Sequence, residues 1–388
     1  MKLRTGKPEE AGMSAKKVQN IVDLAKGWVD QGFTPALVIL VARKGIIVIH
    51  EAFGRLTPEP DSPPLQLDSI YPLASISKPI TATAIMQLVE DGLLGLNRPV
   101  SWYIPEFKGE GKEAVMVHHL LTHTSGLRDE DLEVHIRKKR GTVEIPLPDR
   151  TQHPEINETL FLMYDAPLWK PPGVEMSYCS YAYSLLGEII RRISGKSFDS
   201  FTRERIFNPL GMKDTAFITT DSMRDRIVKR PADAPYADSL NSSQLQETPH
   251  PAGGAFSTAM DTAIFGQMFL NRGIYGDTRI LSKASVFEMT RNQIPGISSR
   301  YDPEYFPEAS WGFGWDILGD KKYLGAGTLN SKKTFYHGGL GGVGLYVDPV
   351  YEVVGVYFGV RIIPAPHRWV VVGNFELVMN MITAAIVE

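Results

Sequence analysis

A single cysteine, Cys179, stands in a chain of 388 residues, which excludes an internal disulfide and any cysteine-rich metal centre. That scarcity fits a reducing compartment, although secreted bacterial enzymes often lack cysteine too. An excess of one charge is also missing. With 41 basic against 44 acidic residues and a net charge of -3, the chain has no electrostatic footprint for nucleic acid or an anionic membrane. Long hydrophobic runs are absent: stretches such as Ala36 to Ala42 fall far short of the ~20 residues that a helix needs to cross a bilayer. Met1 to Met13 has no apolar signal-peptide core, so a cytoplasmic location is expected. Nor is there a G-x-S-x-G elbow, which counts against an α/β-hydrolase fold.

What remains is ordinary for a soluble globular protein, at 43% hydrophobic and 22% charged residues. The length allows a large core in one large domain or two. Val18, Ile21, Val22, Ala25 and Val29 form a helical stripe after Ser14, a candidate cap. Ala36 to Ala42 and Gly45 to His50 read as strands joined at Lys44-Gly45, and the proline-rich stretch Thr57 to Gln66 as a loop. From Leu73 to Gly254 strand signals are sparse; Tyr183, Leu186, Ile189, Ile190 and Ile193 make the clearest helix there. Thr334 to His337, Val343 to Val347 and Val353 to Val360 read as strands, and Asn374 to Val387 as a closing helix. The pattern predicts an α+β architecture. Residues 1–70 and 255–388 supply an antiparallel sheet domain flanked by N- and C-terminal helices, and residues 71–254 form an inserted, mainly helical domain, with the active site between them.

Ser75-Ile76-Ser77-Lys78 places a hydroxyl and an amine one helical turn apart. Ile80, Ala84, Ile85 and Leu88 continue a helix toward Gly92, so Ser75 is expected at its N-terminus, where Pro79 is tolerated in the first turn. A serine hydroxyl attacks a carbonyl only when a neighbour takes its proton. A lysine can do so as the free amine, which burial favours by lowering its pKa.

Two later segments complete a pattern: Tyr178-Cys179-Ser180 and His337-Gly338-Gly339. Together with His119–Leu127, Leu185–Ile190, Gly253–Thr258 and Gly312–Trp315, the chain resembles the penicillin-recognising serine hydrolases over about residues 8–385. These include class C β-lactamases, D-alanyl-D-alanine peptidases and family VIII carboxylesterases, the last being the closest in pattern. The resemblance implies the β-lactamase/DD-peptidase-like fold, acylation of Ser75, and Lys78 and Tyr178 sharing its proton. Either of the two could be the base, and a lysine ammonium beside Tyr178 is expected to lower the phenol's pKa. The backbone N–H groups of Ser75 and Leu340 would hold the oxyanion, while Ser180, His337, Gly338 and Gly339 would contact substrate.

The departures narrow the expected substrate. Where the family's β-lactamases carry Lys-Thr-Gly, this chain has His337-Gly338-Gly339, with no hydroxyl and a charge expected to depend on pH. Ser180 replaces the usual Asn. Both changes favour a neutral carboxylic ester, so a serine carboxylesterase without cofactor or metal is expected. The alternatives are a β-lactamase, a D-amino-acid peptidase or an acyltransferase of the same fold, and a catalytically silent ligand-binding scaffold. The expected partner is a small-molecule ester, with no nucleic acid and no membrane, and a homo-oligomer stays open.

Bland readings account for the remaining patterns. Gly339 to Gly344 matches G-x-G-x-x-G but precedes a strand, so a glycine-rich hairpin is expected in place of a nucleotide loop. His118, His119 and His123 lack H-E-x-x-H and are expected as hydrogen-bonded interior histidines. Arg137 to Arg140, preceded by Asp129, Glu130, Asp131 and Glu133, reads as a solvated helix face. Cys179 is not expected to be a nucleophile, and Tyr181 and Tyr183 are expected as packing residues. Arg128 to Gln152 and Arg224 to Pro251 read as polar loops that shape the entrance.

Overall fold

A computed structural model describes residues 1–301, 304–322, 327–361 and 374–387. The Val- and Ile-rich runs form one seven-stranded sheet. Its strands are β1 (Arg4–Thr5), β2 (Ala36–Arg43), β3 (Ile46–Gly54), β4 (Asp316–Ile317), β5 (Phe335–Gly339), β6 (Val343–Asp348) and β7 (Val353–Gly359). Their spatial order is β1-β3-β2-β7-β6-β5-β4. Lys44 and Gly45, both at positive φ (52° and 74°), make the tight turn between β2 and β3. Pairing is antiparallel except at one edge, where β1 runs parallel to β3. This corrects the expectation of an antiparallel sheet: β1 reaches β3 through a helix and a strand, so no hairpin fixes its direction.

Three helices pack on this sheet, α1 (Ala15–Asp30), α5 (Ala259–Leu270) and α6 (Phe375–Ala384), and three in the helical region lie around the candidate site, α2 (Ser77–Glu90), α3 (Asp129–Lys139) and α4 (Tyr181–Ser194). The Ser14 hydroxyl caps α1 by accepting from the Lys17 N–H. Side chains alternate along β2, as a pleated strand requires. Leu37, Ile39 and Val41 pack with α1 and α6 on one face. Val38 and Leu40 face α5 on the other, in a core that continues through Ile85 of α2 and Leu186 and Ile189 of α4. Gly266 of α5 lies so close that a Cβ there would come 2.9 Å from Val354 and 3.0 Å from Leu345.

Between residues 71 and 254 the regular elements are helices, apart from the strand Tyr71–Pro72, which pairs with Phe256–Ser257, and isolated bridges such as Pro99 with Met116; loops connect them. Two expected loops carry helices. Arg128 to Gln152 contains α3, and Arg224 to Pro251 contains the short helices Ala237–Leu240 and Ser243–Glu247. In α3 only Leu132 and Ile136 are buried, too few for a visible stripe. Asp129, Glu130 and Asp131 in its first turn and Arg137, Lys138 and Lys139 in its last complement the helix dipole instead. Among the described residues, no helix is long and apolar enough to cross a membrane.

Candidate active site

Ser75 sits on a 3-10 turn, Ala74–Ile76, that runs directly into α2, two residues before the α-helix at whose N-terminus the sequence put it. Ala74 adopts φ 45°, a left-handed conformation that costs an alanine about 1 kcal/mol or more. Bonds to a neighbouring segment maintain it: Leu73 N–H donates to the Ala255 carbonyl at 2.7 Å, and Ala255 N–H donates to Ser77 Oγ at 3.0 Å. Thr81 Oγ1 donates to the Pro251 carbonyl at 2.7 Å. The Pro251–Ala255 segment therefore forms the floor on which the Ser75 turn rests.

The Lys78 side chain is fully buried, and its Nζ donates to Ser75 Oγ at 3.2 Å, Ser180 Oγ at 3.4 Å and the Ala252 carbonyl at 3.0 Å. Burial drives the amine down to about 7, against the opposing pull of the Asp129 carboxylate. The free amine is thus available near neutral pH.

Tyr178 enters from a distant segment. The Ser177 N–H donates to the His123 carbonyl at 2.9 Å, and the Cys179 N–H to His123 Nδ1 at 3.0 Å. The His123 ring stacks on the Tyr178 ring at 4.4 Å, and Trp311 meets the phenol edge-on at 5.9 Å. The phenol and Ser75 share a hydrogen bond, and Lys78 Nζ lies 4.6 Å from the ring centroid. Burial raises the Tyr178 pKa, with only the Ser75 hydrogen bond opposing. The expected lowering by a lysine ammonium is therefore overturned, because burial acts on both groups and removes the fixed cation it required.

His337, on β5, is buried; its Nδ1 is 2.8 Å from the Gly338 carbonyl, which assigns the proton to Nδ1 and leaves Nε2 an acceptor. Burial and the nearby Lys78 push the imidazole down to about 3. The expected pH-dependent charge is thus corrected to a neutral ring throughout the physiological range. Gly339 brings β5 against the serine turn, since a Cβ there would collide with the Leu73 carbonyl and Val343. Leu340 follows at the turn leaving β5, half-buried. Ser75, Lys78, Tyr178, Ser180 and the His337–Leu340 segment are thereby brought together.

Sequence reasoning missed Asp129. Its carboxylate accepts from Ser180 N–H at 2.8 and 2.9 Å and from Tyr181 N–H at 3.2 Å, anchoring the start of α4. The signal, a first-turn acidic residue, was read only as offsetting a basic run. The roles of His123 and Trp311 depend on ring stacking between remote segments, which no local pattern encodes.

Other expectations resolve locally. His119 Nδ1 accepts from Met116 N–H at 3.0 Å, and among the described residues no group of three His, Cys, Asp or Glu could hold a metal. Cys179 is fully buried with its thiol pushed up, which suits packing and not nucleophilic attack. Tyr183 donates its hydroxyl to the Leu121 carbonyl at 3.1 Å. The G-x-G-x-x-G segment is the turn between β5 and β6.

The family model described as Beta-lactamase matches residues 18–360. Penicillin-binding protein 4 of Amycolatopsis lactamdurans is 30% identical over 262 residues, a match spanning 64% of this chain and 63% of that protein. A "Putative D-alanyl-D-alanine carboxypeptidase" of Salmonella typhi is 25% identical across 94% of this chain and 86% of its own. Among solved structures, a family VIII carboxylesterase shares the fold, with a TM-score of 0.72 at 20% identity over 96% of this chain and 98% of that one. The α+β fold, the match over most of the chain and the clustering of Ser75 with Lys78 lead to one assignment: the chain belongs to the β-lactamase family and is a serine hydrolase of the penicillin-recognising superfamily.

Proposed function

We propose that this protein is a carboxylesterase that cleaves small neutral esters through an acyl-enzyme on Ser75. The carrying observation is the pair at the centre: a buried amine near 7, 3.2 Å from the serine oxygen. Lys78 takes the Ser75 proton as Oγ adds to the ester carbon. When the C–O bond breaks, Tyr178, kept protonated by burial, gives its proton to the departing alcohol as the Lys78 ammonium returns the serine proton to the phenol, so both groups end as they began. The carbonyl oxygen becomes an oxyanion held by the Ser75 and Leu340 N–H groups, each donor being worth ~3–4 kcal/mol. Collapse expels the alcohol, and water then attacks the acyl-serine by the same route.

Ester preference rests on the third motif. His337 is neutral and presents an acceptor, so it offers no cation to a β-lactam or peptide carboxylate. Ser180, with a short hydroxyl turned to Lys78, gives little purchase on an amide side chain. A second reading, a D-alanyl-D-alanine carboxypeptidase, is favoured by the name of the Salmonella typhi relative. Initial rates on p-nitrophenyl butyrate, nitrocefin and an acyl-D-alanyl-D-alanine peptide separate these readings. The ester is expected to be turned over fastest; faster release of D-alanine would establish the second reading, and faster nitrocefin opening a β-lactamase.

A further inference from the structure

Arg230 is the least expected buried group in the molecule. Its side chain is 2% exposed, and Nε, Nη1 and Nη2 all lack a hydrogen-bond partner. Burial lowers its pKa to about 10, so it remains a cation at neutral pH. Among the described residues, the titratable group that acts on it is the Tyr71 phenol, which is itself fully buried and has no hydrogen-bond partner among them. Among the described residues, no carboxylate offsets the charge. A lone buried cation is costly, and proteins ordinarily pair it.

The surrounding chain holds this residue in place. The Asn241 side chain clamps the Arg230 backbone at both ends, accepting from its N–H at 3.0 Å and donating to its carbonyl at 2.9 Å. The guanidinium lies against Gly341, at φ 90°, where a Cβ would come 2.9 Å from both Nε and Nη2. A side chain there would be strained by the positive φ and would crowd both Leu240, at 2.5 Å, and the arginine, which accounts for one glycine of the G-x-G-x-x-G match. Gly341 directly follows Leu340, and Tyr71 stands in the strand that leads into the Ser75 turn. Arg230 therefore sits behind both segments that carry the proposed oxyanion donors.

We infer that Arg230 is an electrostatic positioning residue whose uncompensated charge, set behind the Leu340-Gly341 turn, faces the negative charge that appears transiently on the tetrahedral intermediate. The inference rests on the acyl-enzyme reading above. It gives the missing counter-charge an identity: the anion exists only while the carbonyl oxygen carries it. A preorganised charge in a low-dielectric interior acts over several ångströms without touching substrate.

Phenylboronic acid is the probe. The serine oxygen adds to boron, the proton passes to Lys78, and a negative charge stays on the tetrahedral boronate. Arg230→Met is expected to weaken phenylboronic acid inhibition about tenfold and to lower kcat on p-nitrophenyl butyrate similarly, with KM changed less than about twofold. Arg230→Lys is expected to restore most of both. Unchanged boronate affinity in Arg230→Met would overturn the inference. So would equal loss in Arg230→Lys, which would mark a packing role. If loss were confined to the KM of an ester bearing a carboxylate, Arg230 would be a substrate-anion site and the inference would fall. Should Arg230→Met not fold, Asn241→Ala, which releases the clamp and keeps the charge, is expected to weaken the boronate about threefold; no change there overturns it equally. Wild-type protein that binds no boronate and is not acylated would instead defeat the acyl-enzyme reading itself.

Discussion

In the proposed mechanism, Lys78 governs the pH at which Ser75 can lose its proton. Its amine is pushed down to about 7 by burial, and only the free base can accept a proton, so kcat/KM should fall about tenfold per unit below that value and level off above it. A pH profile on p-nitrophenyl butyrate checks this; an acid limb near the ordinary lysine value would contradict it. His337 should add no limb near neutrality, because burial holds it at about 3. Lys78→Met should lower kcat by ~10²–10⁴, the usual contribution of a positioned base. At this scale the sequence was legible where chemistry follows local spacing: Ser75 and Lys78 are one turn apart by necessity. It was not legible for Arg230, since burial in a proline-rich stretch is decided by what packs over it, nor for the His337 tautomer, which depends on one backbone carbonyl.

The elements are coupled to this chemistry through their ends. Asp129 opens α3 and accepts from the first N–H groups of α4, so its carboxylate anchors one helix from another. Asp129→Asn should cost about 1–2 kcal/mol in urea unfolding, as loss of a charged helix-end acceptor does. The same change removes the negative charge that holds the Lys78 pKa up, so the acid limb should move to lower pH; a shift upward would contradict the account. The main strands were readable because Val and Ile runs bounded by glycine suit a buried sheet. β1 and β4, with two residues each, were too short to show a period. Of α3, the charged run was legible as a solvated helix face, but the same stretch also read as a loop because the helix buries only Leu132 and Ile136.

For the whole molecule, one hydrophobic cluster runs from β2, β6 and β7 through α5 into α2 and α4. We therefore expect the sheet and the helical region, although separate in sequence pattern, to unfold together. Scanning calorimetry should show a single transition; two resolved ones would mean that the regions are independent. On the opposite sheet face, Phe375 of α6 packs on Tyr346 and Tyr357 at 5.7 and 5.8 Å, and Phe375→Ala should cost ~3–5 kcal/mol. The central claim is that this architecture exists to make Ser75 a nucleophile. Its most direct test is mass spectrometry of the protein after a fluorophosphonate probe. One adduct on the peptide containing Ser75, absent from a folded Ser75→Ala variant, is predicted; a folded wild-type protein left unlabelled, or labelled on another residue, would contradict it.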